Sequence, residues 1–229
     1  MTDFNALTRA NLSRWQNAKL TRKTLSDKVA TALVSAKKRY QAVEAKTGVP
    51  WAVIAVIHER ESSQNWGRSL AQGDPWNKVS VHVPAGRGPF NSWEDAAIDA
   101  LLNCHPYLAK RKDWSLAGVL IALEMYNGLG YASKGIPSPY LWAGTNQYKS
   151  GKYVADGRFD PSHVDQQLGC VAMLLAMMAV DPTITFTGAK VAPSPPQAPH
   201  KAPSVANPSK GSIGAFIANV FNAIFKRKS

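Results

Sequence analysis

Residues 50–63 read Pro-Trp-Ala-Val-Ile-Ala-Val-Ile-His-Glu-Arg-Glu-Ser-Ser. Pro50 suits the first turn of a helix, where its missing N–H costs nothing. Val53, Ile54, Val56 and Ile57 make that helix strongly apolar, so it belongs in a core. At helical spacing Ile54, Ile57 or His58, and Glu61 fall on one face, with Glu61 at the end of the apolar stripe. A carboxyl placed there is half out of water. Desolvation raises its pKa and keeps it protonated near neutrality, as a general acid requires. The plain alternative is a helix-end carboxylate paired with Arg60 or Arg68. Glu59 falls on the more polar side and is the weaker candidate.

Working outward, the N-terminal side carries a second helical pattern. Leu25, Val29, Leu33, Ala36, Tyr40 and Val43 recur as one amphipathic stripe, after a short helix around residues 8–20. Downstream, residues 72–90 turn to Gly, Pro, Asn and Asp, and the alternation Val79-Ser80-Val81-His82-Val83 predicts a short β-hairpin. Ser92 caps a helix through Leu102, with Glu94 and Asp95 in its first turn, where the helix dipole favours acids. Ser115 caps the next helix, through Met125. Residues 126–162, rich in Gly, Tyr, Pro and Asn, read as a long ordered loop, and such loops are usually functional. Helix returns over 165–180 and ends at Asp181-Pro182.

The chain has 229 residues, with 27 Lys+Arg against 15 Asp+Glu for a net charge of +12; 45% of residues are hydrophobic, which excludes a wholly disordered chain. The charge is uneven. Residues 1–48 hold ten bases and three acids, 49–188 hold eleven and twelve, and 189–229 hold six bases and no acid. Two basic ends flank a near-neutral core, a distribution that favours polyanions: nucleic acid, anionic lipid, lipopolysaccharide or acidic cell-wall polymer. The expected organisation is a basic helical segment (1–48), a core domain (49–188), a Pro-rich linker (189–211) and a cationic amphipathic helix (212–229). In that last segment Ile213, Phe216, Ile217, Val220, Phe221, Ile224 and Phe225 follow the i, i+3, i+4 pattern, and Lys226-Arg227-Lys228 closes it. It is too short to span a bilayer but suits the interface of an anionic membrane or lipopolysaccharide. No signal peptide or transmembrane run is read, so synthesis in the cytoplasm is expected. Cys104 and Cys170 read as two buried thiols rather than a disulfide framework.

Nucleotide-loop, zinc-protease and nucleophile-elbow motifs are missing, and the five histidines show no metal-ligand spacing, so neither metal nor cofactor is expected. What remains is chemistry between helices. Residues 122–131, Ala-Leu-Glu-Met-Tyr-Asn-Gly-Leu-Gly-Tyr, place aromatics, an amide and glycines where a helix gives way to a loop. Ser138-Pro139-Tyr140-Leu141-Trp142 follows. Asn127 supplies hydrogen bonds, and Tyr126, Tyr131, Tyr140 and Trp142 supply surfaces that suit the apolar faces of sugar rings.

A helix ending in Glu61-Ser62, a Gly/Asp loop, and a helix running into Tyr126-Asn127-Gly128 resemble the lysozyme superfamily. The pattern is similar to the soluble lytic transglycosylases and goose-type lysozymes used by phage and prophage endolysins, over roughly residues 45–180. The resemblance implies a mostly α, lysozyme-like α+β fold of two helical lobes with a short β-hairpin. It implies Glu61 as the catalytic acid for the β-1,4 bond between N-acetylmuramic acid and N-acetylglucosamine. It also implies that Tyr126 and Asn127 hold the substrate or Glu61 itself. The partner is then the peptidoglycan glycan strand, met by a monomer after release from the cytoplasm, and no specific nucleic acid. A water-using enzyme needs a second carboxylate. Asp74, thirteen residues after Glu61, is the first candidate for it, with Glu124 and Asp156 behind; an Asp-Pro turn explains Asp74 equally well. The competing class is a non-enzymatic, membrane-active or polyanion-binding protein with a helical core, whose basic ends are the working parts.

Overall fold

The computed structural model describes residues 2–188 apart from 72 and 156. The linker at 189–211 and the amphipathic segment at 212–229 lie outside the described residues. What is described is mostly helical, with one small two-stranded sheet.

Helix α4 (Trp51–Ser62) is the centre of the molecule. Ten of its twelve residues are buried, and the two that are not are Glu59 and Glu61. Pro50 stands just before it, as its cap rather than inside its first turn. Around it lie α2 (Lys23–Ser35), α3 (Lys37–Thr47), α5 (Trp93–Asn103), α6 (Leu116–Asn127) and α9 (Cys170–Val180). Helix α9 is apolar on nearly every side and packs on α2 and α4, while α3 crosses both α4 and α5. Helix α1 (Phe4–Gln16) lies against α6. The caps are those the sequence announces: Ser92 accepts from Asp95 N at 3.0 Å, and Ser115 from Gly118 N at 3.3 Å. Cys104 and Cys170 are buried free thiols.

The basic N-terminal segment is not a separate layer. Trp15, Ala30, Leu33, Tyr40 and Val43 belong to the same hydrophobic cluster as α4 and α9, so residue 48 is no packing boundary. Nor is 25–43 one helix. The chain breaks at Ala36, whose N–H turns back to the Leu33 carbonyl at 3.2 Å. That break aims the Leu33 side of α2 at α9 and leaves Tyr40 and Val43 free to face α4 and α5. Gly48 closes α3 in the left-handed conformation at φ +70°, which glycine adopts without strain.

The expected hairpin at 79–83 is absent. Val79, Val81 and Val83 stay 54, 77 and 46% exposed, and the backbone donors of the stretch are taken elsewhere, Val81 N and His82 N by the Asp74 carboxylate and Ser80 N by the Arg87 carbonyl. The sheet forms instead inside the stretch read as loop. Strands β1 (Lys152–Ala155) and β2 (Arg158–Asp160) pair antiparallel, with Tyr153 opposite Phe159. The same stretch holds the single turns α7 (Gly130–Ser133) and α8 (Pro139–Trp142). Helix α9 starts at Cys170, not 165, because residues 165–169 are drawn out straight: Arg22 donates to the Asp165, Gln166 and Gln167 carbonyls, and Gly169 N to the Ala143 carbonyl at 2.7 Å. Among the described residues no helix is long and apolar enough to cross a membrane.

Candidate active site

The last turn of α4 is anchored by His58. Its ring packs against both Trp66 and Trp93, at 4.7 and 4.5 Å between centroids, and the two indoles also touch each other at 4.6 Å, so the three rings form a triangle. Nε2 faces the Asn65 carbonyl at 3.1 Å and must donate to it, so Nδ1 carries no proton and accepts from the Tyr40 hydroxyl at 3.0 Å. Burial pushes this imidazole down to about 4, so it is neutral at ordinary pH. The backbone then reverses through Ser63 and Gln64, both left-handed at φ +53° and +55°. Two successive non-glycine residues in that region store strain, and the packed histidine supports it.

Glu61 stands half-buried at this reversal. Its Oε1 accepts the Tyr140 hydroxyl at 2.7 Å. Burial pushes its carboxyl up to about 7, against the opposing pull of the Tyr140 hydrogen bond and the Arg60 charge. Tyr126, from the last turn of α6, is the other tyrosine beside it. Burial first, and the Glu61 carboxylate second, hold its phenol well above the ordinary value. The Tyr126 hydroxyl donates to the Leu70 carbonyl at 2.9 Å, tying the 66–76 loop to α6.

Helix α8 is only one turn long, so its position depends on its cap. Ser138 Oγ accepts from Tyr140 N at 3.2 Å and from Asn127 Nδ2 at 3.3 Å. Asn127 thus reaches Glu61 through two intermediaries: it steadies Ser138, which sets α8, which aims Tyr140. The two motifs that are far apart in sequence meet in this chain of contacts.

Not every expected sugar contact is available to a sugar. Trp142 has no exposed surface and is a core residue, its Nε1 without a hydrogen-bond partner. Tyr131 is buried too. Its hydroxyl accepts from Tyr153 N at 3.0 Å, and its ring packs edge-on against Tyr153, so it anchors the β-ribbon. Both residues are corrected from ligand surface to scaffold: an aromatic-rich stretch buries its rings wherever the chain supplies a neighbour to cover them. Tyr140 is likewise buried, and meets Glu61 with its hydroxyl rather than presenting a face. Asn127 is exposed beside the site.

Asp74 is also committed elsewhere. One oxygen accepts Val81 N and His82 N at 2.9 and 3.0 Å, and the other faces His82 Nδ1 at 2.6 Å. These hydrogen bonds outweigh its partial burial and hold its carboxyl below the ordinary value, as suits a loop anchor rather than a base. Glu124, buried on α6, accepts Asn11 Nδ2 at 3.3 Å and is pushed up to about 7 by burial. Its other oxygen has no partner, and it serves the α1–α6 contact. Asp156 lies outside the described residues. Glu59 is pushed up to about 7 as well, and lines a hollow of about 140 Å³ with Leu25, Val29 and Gln167. A second hollow, of about 420 Å³, lies between α1 and α6; neither includes Glu61.

Glu61 is ion-paired with neither arginine: Arg68 donates to the Gly73 carbonyl at 2.6 Å, and Arg60 pairs with Asp165 at 2.6 Å. Sequence reading missed this pair. The available signal was an arginine inside an apolar helix, which demands a buried acid somewhere; the partner sits 105 residues away. Among the described residues no group of three or more His, Cys, Asp or Glu side chains could hold a metal ion. Compared with known proteins, the chain matches no family model, no curated protein and no solved structure.

Proposed function

We propose that this protein cleaves the glycan strands of peptidoglycan at the β-1,4 bond between N-acetylmuramic acid and N-acetylglucosamine, with Glu61 as general acid. The observation that carries the reading is a single one: at the end of the most buried helix, burial raises a carboxyl to about 7, so that a large share keeps its proton near neutrality, and a tyrosine hydroxyl orients it. A protonated carboxyl in that setting gives its proton to a leaving glycosidic oxygen as oxocarbenium character develops. The lysozyme-like, two-lobed arrangement belongs to the same proposal.

The engagement of Asp74 by its own loop favours a route without a second carboxylate. In that route the muramic acid's own hydroxyl closes on the anomeric carbon. The Glu61 carboxylate, having given up its proton, takes the hydroxyl's proton back and is restored. The product is an anhydro sugar and no water is consumed.

Glu61→Gln keeps shape and hydrogen bonding and cannot donate the proton. Zymography on purified cell wall, beside wild type, should show nearly all degradation lost from a folded protein; near-wild-type clearing by Glu61→Gln would refute the assignment. Mass spectrometry of the wild-type digest should show anhydro-muropeptides, and reducing ends in their place would return a water-activating base to the mechanism. The enzyme acts as a monomer on the wall after release from the cytoplasm, and segment 212–229, read from its sequence pattern, serves anionic membrane or lipopolysaccharide. Truncation after Gly188 should leave wall digestion unchanged and abolish leakage from anionic vesicles. Equal leakage by both proteins would remove the membrane role.

A further inference from the structure

Between Glu59 and Glu61 stands Arg60, whose side chain is 6% exposed. Water cannot screen that charge. Its Nη2 meets Asp165 Oδ2 at 2.6 Å and its Nη1 donates to the Leu168 carbonyl at 3.2 Å. Asp165, itself 1% exposed, is held on every side: Oδ1 accepts Lys152 Nζ at 3.0 Å and Gln167 N at 3.1 Å, and its own N–H donates to the Tyr148 hydroxyl at 3.1 Å. The guanidinium lies 5.1 Å from the centroid of the Tyr140 ring, the ring whose hydroxyl is on Glu61. Ion pair, ring and acid form one continuous row.

A buried ion pair seldom adds net stability, because desolvating both partners offsets their attraction, and apolar residues often do as well. The pair therefore calls for another role. The groups that bear on Glu61 are Tyr140 from α8, Tyr126 from α6, Arg60 on α4 and Cys170 on α9. Burial holds both phenols and the thiol in their neutral forms, so of these four Arg60 is the one that carries charge at neutral pH. Facing the Asp165 side chain are Arg60, Lys152, Tyr148 and Tyr131, while Arg22 from the start of α2 meets its backbone carbonyl at 3.3 Å. An uncompensated cation beside Glu61 would pull its proton off.

We infer that Asp165 is a positioning residue for the acid: by pairing with Arg60 it offsets the cation's field at Glu61 and pins the guanidinium against Tyr140, so that Glu61 keeps its proton. The inference rests on reading Glu61 as the working acid, and its test reads Glu61 directly. Full-length protein labelled with ¹³C at the glutamate carboxyls is titrated by NMR, the Glu61 signal being assigned by its loss in Glu61→Gln.

Asp165→Asn should lower the Glu61 midpoint by about one unit, the order expected of one buried charge acting across a neighbouring ring. Arg60→Met, which leaves Asp165 paired with Lys152, should raise it. Arg60→Met/Asp165→Asn, with no unpaired member of the pair left behind, should bring it back to the wild-type value or above. A folded Asp165→Asn whose midpoint stays within about 0.3 of a unit of wild type would overturn the inference. If Asp165→Asn does not fold, Arg60→Met decides, and an unmoved midpoint there overturns it equally. A merely structural Asp165 predicts no opposite-signed shifts and no rescue. The titration does not depend on wall digestion. Loss of the enzymatic reading appears as lysis by Glu61→Gln with these shifts intact, and failure of the inference as still midpoints with Glu61→Gln inactive.

Discussion

Replacing Tyr140 by Phe removes one hydroxyl and leaves the buried ring in place. That hydroxyl donates to Glu61 Oε1 at 2.7 Å, and the bond favours the ionised acid. A hydrogen bond to a charged group contributes about 1.5–3 kcal/mol, and one to the neutral acid about 1 kcal/mol. The difference is on the order of 1.4 kcal/mol, and one pKa unit corresponds to about 1.36 kcal/mol. The Glu61 carboxyl, now at about 7, should therefore move up by roughly one unit. The proposed reaction needs the protonated form, so wall-degrading activity should fall as pH rises through that value. The assay is turbidity loss of purified wall from pH 5 to 9 at constant ionic strength. The alkaline limb should shift upward by about one unit, with a reduced plateau because the acid is less well oriented. Folding should suffer little, because half-buried Glu61 can recruit water; the melting point should drop by about 2–4 °C. An alkaline limb that stays put, or moves to lower pH, in a folded Tyr140→Phe would show that Glu61 is not the group setting it.

Gly169→Ala places a Cβ 2.4 Å from the Leu141 carbonyl oxygen and 2.7 Å from Ala143 N, so it should cost on the order of 3 kcal/mol in a denaturant melt and displace α8 with its tyrosine. Unaltered stability there would show that the α8–α9 junction has slack. Asp74→Asn weakens three hydrogen bonds within the loop; its melting point should fall while its anhydro products persist, and an intact melting point with activity lost by orders of magnitude would make Asp74 a base. Glu124 has its folded pKa raised to about 7, so its contribution is fully present below its unfolded value near 4.5 and is lost as pH rises through 7. Glu124→Gln should therefore melt higher than wild type at pH 8, by up to about 3 kcal/mol, with much less difference at pH 5; equal melting at pH 8 would sink this account. His58 works in the opposite sense. Its folded pKa of about 4 lies below the unfolded 6.5, so its neutral packing stabilises above pH 6.5 and is lost as pH falls toward 4, and ¹⁵N NMR should find Nε2 protonated and Nδ1 bare at pH 6.

How much was legible beforehand differs by residue. Residues 50–63 announce a buried helix, because an unbroken apolar run can be satisfied only inside a core, and they announce Glu61 and Glu59 as the residues that escape it. The caps at Ser92 and Ser115 and the stops at Gly48 and Asp181 are local chemistry, a side chain or a backbone angle acting within four residues, and sequence contains all of it. Alternation at 79–83 misled, since a strand needs a partner and that need is not visible in the strand itself.

The tertiary structure alone decided which rings are walls and which reach the acid. Trp142, Tyr131 and Tyr140 are equally aromatic in sequence. One fills the core, one anchors a ribbon, and one turns a hydroxyl toward Glu61, because that depends on what packs over each. The pairing of Arg60 with Asp165 across 105 residues is of the same kind. Local propensity acts over a few residues of chain. The energies that set a buried charge or a carboxyl's proton depend on distance in space, and only the closed fold supplies that distance.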